Sequence, residues 1–217
     1  MKKEIKRSFY LSLILILTFI LWTVLVSIVD KKDIGPTGSS VGFATVNQFV
    51  HSITGVHMWL YTLTDWLGLV PVAFMLGFFV LGVIQWIKRR SIFKVDYSIL
   101  VLGGYYIIVT LAYVLFEEVV VNFRPVLING YLEASYPSST TLLVLCIMPT
   151  TIMQLSARIK NRTLKRTTSY ILGAFSVFMV VGRLISGVHW LSDIIGGVLL
   201  SLGLVMLYKA IINSFNS

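Results

Sequence analysis

Six long apolar segments recur along this chain of 217 residues, and no other feature limits its possible folds as strongly. A helix needs ~20 mostly apolar residues to cross the ~30 Å hydrocarbon core of a bilayer, and each segment meets or approaches that length. The segments are approximately 9–29, 59–86, 97–121, 139–155, 169–185 and 191–212. We therefore predict an all-α integral membrane protein, a six-helix transmembrane bundle that forms a single domain over 1–217.

Composition supports this prediction, because hydrophobic residues make up 57% of the chain and charged residues only 12%. A soluble domain of this size does not need so much apolar surface. The first segment follows four basic residues, as a secretory signal does. It is longer than a signal core and no small-residue cleavage site follows it, so we predict a retained helix.

The net charge of +9 is distributed unevenly. Fourteen of the 18 Lys and Arg residues fall before the first segment, in alternate connections or near the C-terminus. In a six-helix chain these regions share one side, and the positive-inside rule assigns that side and both termini to the cytoplasm. Topology and anionic lipid contact account for the charge, so we predict no nucleic-acid partner.

Few other residues suggest chemistry. The single cysteine, Cys146, lies inside an apolar segment and is expected to pack there. No Cys/His cluster or carboxylate set has metal-ligand spacing, so we predict neither a metal nor a cofactor. The first outer loop contains His51 and His57 and a spaced apolar stretch, 41–53, typical of a surface helix. For Asp65, inside the second segment, we expect a hydrogen bond to a neighbouring helix near the outer end.

Three polar segments lie at predicted helix ends on the outer side, where they can converge. They are Glu117 to Pro125, Tyr136-Pro137-Ser138-Ser139-Thr140, and Gly182 to Asp193. In the third, His189 and Asp193 are four residues apart and share one helix face. A carboxylate there can accept a proton from one imidazole nitrogen and leave the other free as a nucleophile.

The same segments contain groups that bind phosphate. Arg124 and Arg183 carry guanidinium groups that match phosphate oxygens bidentately. Ser138 and Ser139 begin a predicted helix, whose free N–H groups and dipole favour anions. Together with an oriented histidine, these groups suggest a phosphoryl-transfer site. The alternative is that they only pair with lipid headgroups at the membrane surface.

In order, approximate spacing and topology, the chain resembles the type 2 phosphatidic acid phosphatase superfamily. Its motifs are K-x-x-x-x-x-x-R-P, P-S-G-H or P-S-S-H, and S-R-x-x-x-x-x-H-x-x-x-D. Gly182 stands where serine is common. The resemblance implies that His189 forms a phosphohistidine, that Asp193 orients it and that Arg124 and Arg183 bind the phosphate. It further implies that Ser138 and the backbone near Ser139 complete the phosphate cradle.

Two positions depart from these motifs. Glu117 stands at the lysine of the first motif, and Thr140 stands at the histidine of the second. A carboxylate in place of the lysine repels a dianionic phosphate. The lost histidine would protonate the leaving group, a contribution of ~10²–10⁴-fold that threonine cannot supply directly. A simpler interpretation of Glu117 is an ion pair with Arg124, two helical turns later.

Three hypotheses follow. The chain is a lipid phosphatase or phosphotransferase with altered leaving-group chemistry, in which Glu117 acts as the acid or the leaving group is itself acidic. Alternatively, Glu117 recognises a cationic substrate group, or the protein only binds or carries a phosphorylated lipid. The resemblance implies a polyprenyl or glycerolipid phosphate substrate and a bacterial cytoplasmic membrane with the site facing outward. The residues leave the choice of lipid and the oligomeric state open.

Overall fold

The structure is a computed structural model that describes residues 2–215, and these residues form eight α-helices. The helices are α1 Lys2–Ile28, α2 Ala44–Thr54, α3 Met58–Leu67, α4 Leu69–Arg89, α5 Tyr97–Glu118, α6 Ser139–Arg158, α7 Arg162–Ile185 and α8 Leu191–Phe215. Within the described residues, strand-type pairing is limited to isolated bridges in the loops. The all-α prediction is confirmed.

Six helical spans in this part of the chain are long and apolar enough to cross a membrane. The second of them combines α3 and α4, which adjoin at Gly68 and together cover the 32 residues of Met58–Arg89. The other spans are α1, α5, α6, α7 and α8. The six predicted apolar segments therefore correspond to six candidate membrane-spanning helices.

The helix ends differ from the apolar segments because hydropathy marks the hydrocarbon zone and not the limit of backbone hydrogen bonding. Helix α1 begins at Lys2, before the apolar stretch. Helix α7 begins at Arg162 instead of Ser169, and the Asn161 side chain accepts a hydrogen bond from Leu164 N at 3.0 Å. That cap satisfies one of the free N–H groups at a helix start. Helix α5 ends at Glu118, before the predicted Val121.

Helix α8 is the most enclosed span and packs against α1 and α6. At its contact with α1, the Ser12 hydroxyl donates a hydrogen bond to Gly203 O at 2.8 Å. A Cβ at Gly203 would lie only 2.9 Å from the Ile16 side chain, so glycine permits this close approach. Small residues are typical of such contacts between membrane helices.

The short helix predicted between the first two apolar segments is present as α2, and its Val46, Phe49 and Ile53 side chains are exposed. Its first turn is tethered by Asp30, whose carboxylate accepts a hydrogen bond from Thr45 N at 2.7 Å. Hydrogen bonds from the Lys32 side chain and from Thr45 lower the pKa of Asp30 to about 2. The tether fixes α2 across one end of the bundle.

That end of the bundle also collects the motif segments. It contains the last turns of α5 and α7 and the first turns of α6 and α8. Ser138 N donates a hydrogen bond to Asp193 O at 3.1 Å, which joins the starts of α6 and α8 directly. The clusters of Lys and Arg before α1, between α4 and α5, and between α6 and α7 lie toward the opposite end.

Candidate active site

His189 lies in the short loop between α7 and α8, and this loop is held tightly. Gly187 has a φ of +69°, and a Cβ there would lie 1.9 Å from Gly55 O, so only glycine fits. The Gly187 carbonyl also lies 3.1 Å from Nε2 of the half-buried His51. The neighbouring His57 is exposed, with its Nε2 2.9 Å from Thr54 O. Contacts with the chain between α1 and α3 thus fix the position of His189.

The His189 ring is 2% exposed, and its Nδ1 lies 3.2 Å from Ser135 O. A carbonyl oxygen can only accept, so Nδ1 carries the proton and Nε2 has a free lone pair. Burial, followed by the positive charges of Arg124 and Arg183, holds the pKa of His189 well below its usual value of 6.5. At neutral pH His189 is therefore an uncharged imidazole with a lone pair on Nε2.

Asp193 lies one helical turn after His189, but it does not take the expected proton directly. Its Oδ2 is 3.8 Å from His189 Nδ1, beyond hydrogen-bond distance. Instead, the fully buried carboxylate accepts hydrogen bonds from the Ser135 hydroxyl at 2.7 Å and from Trp190 N at 2.9 Å. The contact with histidine therefore runs through Ser135, whose carbonyl faces the ring and whose hydroxyl faces the carboxylate.

Two buried asparagines extend this network to the connections between α1 and α3 and between α5 and α6. Asn122 Nδ2 lies 3.3 Å from Asp193 Oδ1, and Asn122 Oδ1 accepts a hydrogen bond from Gly42 N at 3.1 Å. Asn47 of α2 donates to the Ser192 hydroxyl at 2.9 Å and accepts from Ser192 N at 3.1 Å. Such satisfied buried networks favour a single arrangement of their members. These hydrogen bonds therefore hold the start of α8 against both connections.

Arg124 and Arg183 are both buried, with exposed fractions of 7% and 2%. Their guanidinium carbons lie 5.9 Å and 4.8 Å from the centre of the Tyr61 ring, within cation–π range. Arg124 Nε is 3.1 Å from Glu133 Oε2, and Arg183 Nη2 is 3.5 Å from Asp65 Oδ1. The partner of Arg124 is therefore Glu133, whereas the sequence suggested Glu117; Asp65 does contact a neighbouring helix, as expected.

Helix α3 also holds Arg183 through close packing. Arg183 Nη1 lies 3.3 Å from the Thr64 hydroxyl, which itself donates to Leu60 O. A Cβ at Gly182 would lie 2.9 Å from Thr64 Cγ2. This contact explains why glycine replaces the serine that the resemblance leads one to expect. The substitution lets α7 approach α3 closely enough for Arg183 to reach its partners.

Three buried nitrogens at this site have no partner among residues 2–215: Arg124 Nη1, Arg183 Nε and His189 Nε2. Arg124 Nε has its ion-pair contact with Glu133 but no hydrogen bond of good geometry. Leaving buried polar groups unpaired costs ~1–3 kcal/mol each, and more for charged groups. The arginines lie near enough to His189 for their charges to lower its pKa. A phosphoryl group beside Nε2 would accept from the guanidinium N–H groups, so the arrangement fits a tetrahedral anion.

The start of α6 contributes less to phosphate binding than the resemblance implies. Ser138 N already donates to Asp193 O, and the Ser138 hydroxyl accepts a hydrogen bond from Thr141 at 3.1 Å. The Ser138 hydroxyl proton is still available to an anion. Ser139 lines the cleft that His189 and Glu117 also line. Thr140 is half-buried, and its side chain makes no hydrogen bond to any residue in the described range.

One cleft brings His189, Ser139 and Glu117 together, with Tyr113 and Phe116 of α5 on its wall. We call it the catalytic cleft. Its enclosed part measures about 10 Å³, room for about one water molecule. Glu117 is exposed, whereas His189 is buried. The histidine and the carboxylate that replaces the motif lysine therefore line the same small space.

Of the residues in the sequence-based site, His189, Glu117 and Ser139 line the cleft. Asp193 and Ser138 lie behind it and contact each other, and Asp193 also contacts Ser135, while the two arginines and Thr140 are outside its lining. Sequence reasoning did not single out Ser135, Asn122 or Tyr61. Ser135 and Asn122 are polar residues directly beside motif residues, a weak signal that solvated loops share. Tyr61 precedes Asp65 by four residues and shares its helix face, which was the one available sign that this face meets the site.

Comparison with known proteins agrees with the fold and the motifs. The PAP2 superfamily description matches residues 98–216, more than half of the chain. A solved structure, the first transmembrane PAP2 type phosphatidylglycerolphosphate phosphatase from Bacillus subtilis, is similar with a TM-score of 0.61. It is 19% identical, and the alignment covers 94% of this chain and 97% of the other. A search of curated proteins gave no match.

The family match includes the segments that carry Arg124, Ser138, Arg183, His189 and Asp193. The structural similarity extends over nearly the whole helical bundle, including the helices before residue 98. Sequence, fold and motif order therefore agree on one assignment. This chain is a multi-pass membrane protein that belongs to the PAP2 phosphatase superfamily.

Proposed function

We propose that this protein is a membrane lipid phosphatase that releases phosphate from a lipid phosphate or diphosphate through a phosphohistidine at His189. The observation that carries the proposal is the buried Nε2 of His189, which has no partner in the described chain and lies near two incompletely paired arginines. The low pKa of His189 keeps this nitrogen unprotonated at neutral pH. A nucleophile and an anion cradle are thus combined in one site.

In the first step, Nε2 attacks phosphorus, and the bond from phosphorus to the lipid oxygen breaks. Arg124 and Arg183 stabilise the negative charge on the phosphoryl oxygens, which is the largest electrostatic requirement of the reaction. The imidazole becomes positively charged as the phosphorus–nitrogen bond forms. Its Nδ1 proton stays on the bond to Ser135 O, and the nearby Asp193 carboxylate balances the charge.

In the second step, water attacks the phosphohistidine. The phosphorus–nitrogen bond breaks, the electron pair returns to Nε2, and inorganic phosphate leaves with the oxygen of water. One proton from that water is lost to the medium or to a carboxylate at the cleft. The enzyme is then restored with Nε2 unprotonated. A phosphotransferase would use an alcohol in place of water at this step.

The leaving-group side is where this chain differs from the family motifs. Glu117 is the acidic residue among those that line the catalytic cleft, so we propose that Glu117 protonates the departing oxygen. A diphosphate needs less help because a phosphate leaving group is already acidic. Thr140 lies outside the cleft lining and receives only an indirect role, in the packing of the first turn of α6.

A second function, binding or carrying a phosphorylated lipid without turnover, is favoured by one observation. Neither the motif lysine nor the motif histidine is present. The arginine pair would still hold phosphate in such a protein. The intact His189, Ser135 and Asp193 arrangement favours catalysis, since phosphate binding alone does not require an oriented neutral imidazole.

For topology, we propose that 1–217 form a single domain with both termini in the cytoplasm and the catalytic cleft at the outer face of a bacterial cytoplasmic membrane. The positive-inside rule supports this orientation, because basic clusters gather at the end of the bundle away from His189. A tag at the C-terminus should react with an impermeant reagent only after the membrane is opened. Labelling of the C-terminal tag in intact cells would mean that the protein has the opposite orientation in the membrane.

The function is tested by phosphate release from a panel of polyprenyl and glycerolipid phosphates, with wild type and His189→Ala side by side. We expect release from at least one lipid by the wild type and a loss of at least ~10⁴-fold in His189→Ala. A His57→Ala variant is the control, since His57 is exposed and outside the catalytic cleft. If the wild type binds a lipid phosphate but releases phosphate from none of the lipids, the result would support the alternative function of a lipid-phosphate binder or carrier.

A further inference from the structure

Helix α3, Met58–Leu67, borders the site although it lies before residue 98, where the family match begins. Its start is joined to the loop that carries His189, because His57 N donates a hydrogen bond to Ser186 O at 3.0 Å. At its other end it adjoins α4. Helix α3 is therefore held where its side chains can act on the residues that bind phosphate.

One face of α3 contacts the outer nitrogens of Arg183. Tyr61, Thr64 and Asp65 share this face, because they are separated by three and four residues. Arg183 Nη1 lies 3.5 Å from Tyr61 O and 3.3 Å from the Thr64 hydroxyl, and Nη2 lies 3.5 Å from Asp65 Oδ1. The third nitrogen, Nε, has no partner among residues 2–215. The contacts with α3 thus leave Arg183 Nε as a donor for an anion.

The Tyr61 ring serves both arginines, which come from different parts of the chain. The guanidinium carbon of Arg183, on α7, lies 4.8 Å from the ring centre, and that of Arg124, between α5 and α6, lies 5.9 Å from it. Two buried positive charges beside one ring repel each other. The negative face of an aromatic ring attracts cations, so the same ring offsets part of this repulsion for both arginines.

The carboxylates near the arginines cannot replace the ring in this role. The side chains of Asp65 and Glu133 are 59% and 41% exposed, so water screens their attraction for the guanidinium groups. A buried carboxylate in place of the ring would bind the arginines more strongly, but it would cancel the charge that phosphate needs. A neutral ring holds two cations together and leaves their positive charge in place.

We propose that Tyr61 is a positioning residue of the phosphate site, whose ring holds the guanidinium groups of Arg124 and Arg183 together for a bound phosphoryl group. The link to catalysis rests on the proposed function, whereas the effect on anion binding requires no turnover. The proposal extends the site to a helix outside the three motif segments and makes the geometry of both arginines depend on one side chain.

Two substitutions of Tyr61 separate the ring from the rest of the side chain. Tyr61→Leu removes the ring, and Tyr61→Phe keeps the ring and removes only the hydroxyl. Tyr61→Met is a second variant without a ring, and its flexible side chain fills the space if Tyr61→Leu does not fold. The matched control is Tyr170→Leu, because the Tyr170 ring centre lies 5.5 Å from the guanidinium carbon of the exposed Arg166, far along α7 from His189.

The first measurement is the dissociation constant of inorganic phosphate for the purified protein in detergent, by ³¹P NMR titration. We expect Tyr61→Leu to raise this constant by at least about tenfold, equivalent to ~1.4 kcal/mol. Tyr61→Phe should restore it to within about threefold of wild type, and Tyr170→Leu should leave it within about twofold. An equal constant in Tyr61→Leu and wild type would overturn the proposal.

A double-mutant cycle distinguishes positioning from a general structural role. Arg183→Gln removes one of the two charges that the ring attracts, so Tyr61→Leu should weaken phosphate binding by about threefold or less in that background. The coupling is the difference between this loss and the tenfold loss in the wild-type background. Equal losses in both backgrounds would make Tyr61 a residue that only packs, and the proposal would fail.

Phosphate release from the lipid panel separates this proposal from the proposed function. Where lipids are hydrolysed, kcat/KM of Tyr61→Leu should fall by about tenfold. If no protein releases phosphate but Tyr61→Leu still weakens phosphate binding, the phosphatase assignment fails and the role of Tyr61 stands. If the wild type releases phosphate and Tyr61→Leu matches it in kcat/KM and in phosphate binding, the role of Tyr61 fails alone. A wild type that binds no phosphate would overturn both.

Discussion

The two sides of the catalytic cleft are built very differently. On the nucleophile side, His189 and Asp193 are almost fully buried, and Ser135 and Asn122 connect them to two loops. On the leaving-group side, Glu117 is exposed, and Thr140, which lies outside the cleft lining, makes no side-chain hydrogen bond within the described residues. The buried nucleophile side retains the motif residues of the superfamily, and the leaving-group side lacks them.

This difference indicates which requirements of the reaction tolerate change. A nucleophile must be held with a fixed tautomer and aimed at phosphorus, so its supports are dense and buried. A leaving group can be activated by different acids, by water or by its own acidity, so that side can change with the substrate. The comparison is sharpened by variants that act on one side only.

The largest effect on the nucleophile side, apart from loss of His189, is expected from the phosphate clamp. Arg183→Gln should lower kcat/KM by ~10²–10³-fold, because one preorganised donor to the phosphoryl oxygens is lost. Phosphate release is the measurement. Arg166→Gln, which changes an exposed arginine in the first turns of α7, is the control and should retain wild-type activity. Equal losses in both variants would point to a general effect of charge.

The next effect concerns restoration of the leaving-group side. Glu117→Lys combined with Thr140→His recreates both motif residues. Position 140 adjoins the cleft-lining Ser139, so the longer histidine side chain should reach the cleft and raise phosphate release from phosphatidic acid by ~10²-fold, the lower end of a general-acid contribution. Wild type assayed on the same lipid gives the baseline. No increase would mean that differences beyond these two residues separate this chain from the family pattern.

A smaller effect should follow from Ser135→Ala. The alanine keeps the carbonyl that accepts from His189 Nδ1 but removes the 2.7 Å hydrogen bond to Asp193. We expect kcat to fall about tenfold while KM changes less, because a hydrogen bond to a charged group contributes ~1.5–3 kcal/mol. Ser135→Thr should restore part of kcat. A fall in thermal stability without any change in kcat would assign Ser135 a purely structural role.

The pH profile probes both sides together. His189 must be unprotonated to attack, and its pKa is held well below 6.5, so the His189 limb of kcat/KM should lie below pH 6.5. Because the positive charge of Arg183 contributes to that lowering, Arg183→Gln should raise the His189 pKa and move this limb to higher pH. If the His189 limb stays at the same pH in Arg183→Gln, the charge of Arg183 does not lower the pKa of His189.

On the leaving-group side, Glu117→Gln should remove the limb of the pH profile on which activity falls as the acid is deprotonated. We expect a change of about tenfold or less at the optimum with a diphosphate, since that leaving group needs little protonation. Glu118→Gln is the matched control on the same helix end. A profile with both limbs intact would remove Glu117 from the role of acid.

Much of the fold was predictable because a bilayer imposes a simple length rule. Six apolar segments led to six candidate spans, and the resemblance to the family motifs made Arg124, Arg183, His189 and Asp193 candidate site residues. The extension of α1 to Lys2 was not predictable from hydropathy, because charged residues in a headgroup layer can still be helical.

The hydrogen bonds and contacts that connect the site residues also could not be predicted from the sequence. Ser135 is 54 positions from His189, and Tyr61 is separated from Arg183 by 122, so only the packed bundle brings them together. A carboxylate four residues from a histidine suggested direct contact, but the short turn before α8 leaves 3.8 Å between them. Ser135 fills that position instead.

The central claim is that His189 becomes covalently phosphorylated, and trapping that intermediate tests it most directly. Protein mixed briefly with a radiolabelled lipid phosphate and quenched in alkali should retain label on the peptide that contains His189. The label should be absent in His189→Ala and present in His57→Ala. Label that persists in His189→Ala, or phosphate release by that variant at the wild-type rate, would contradict the account.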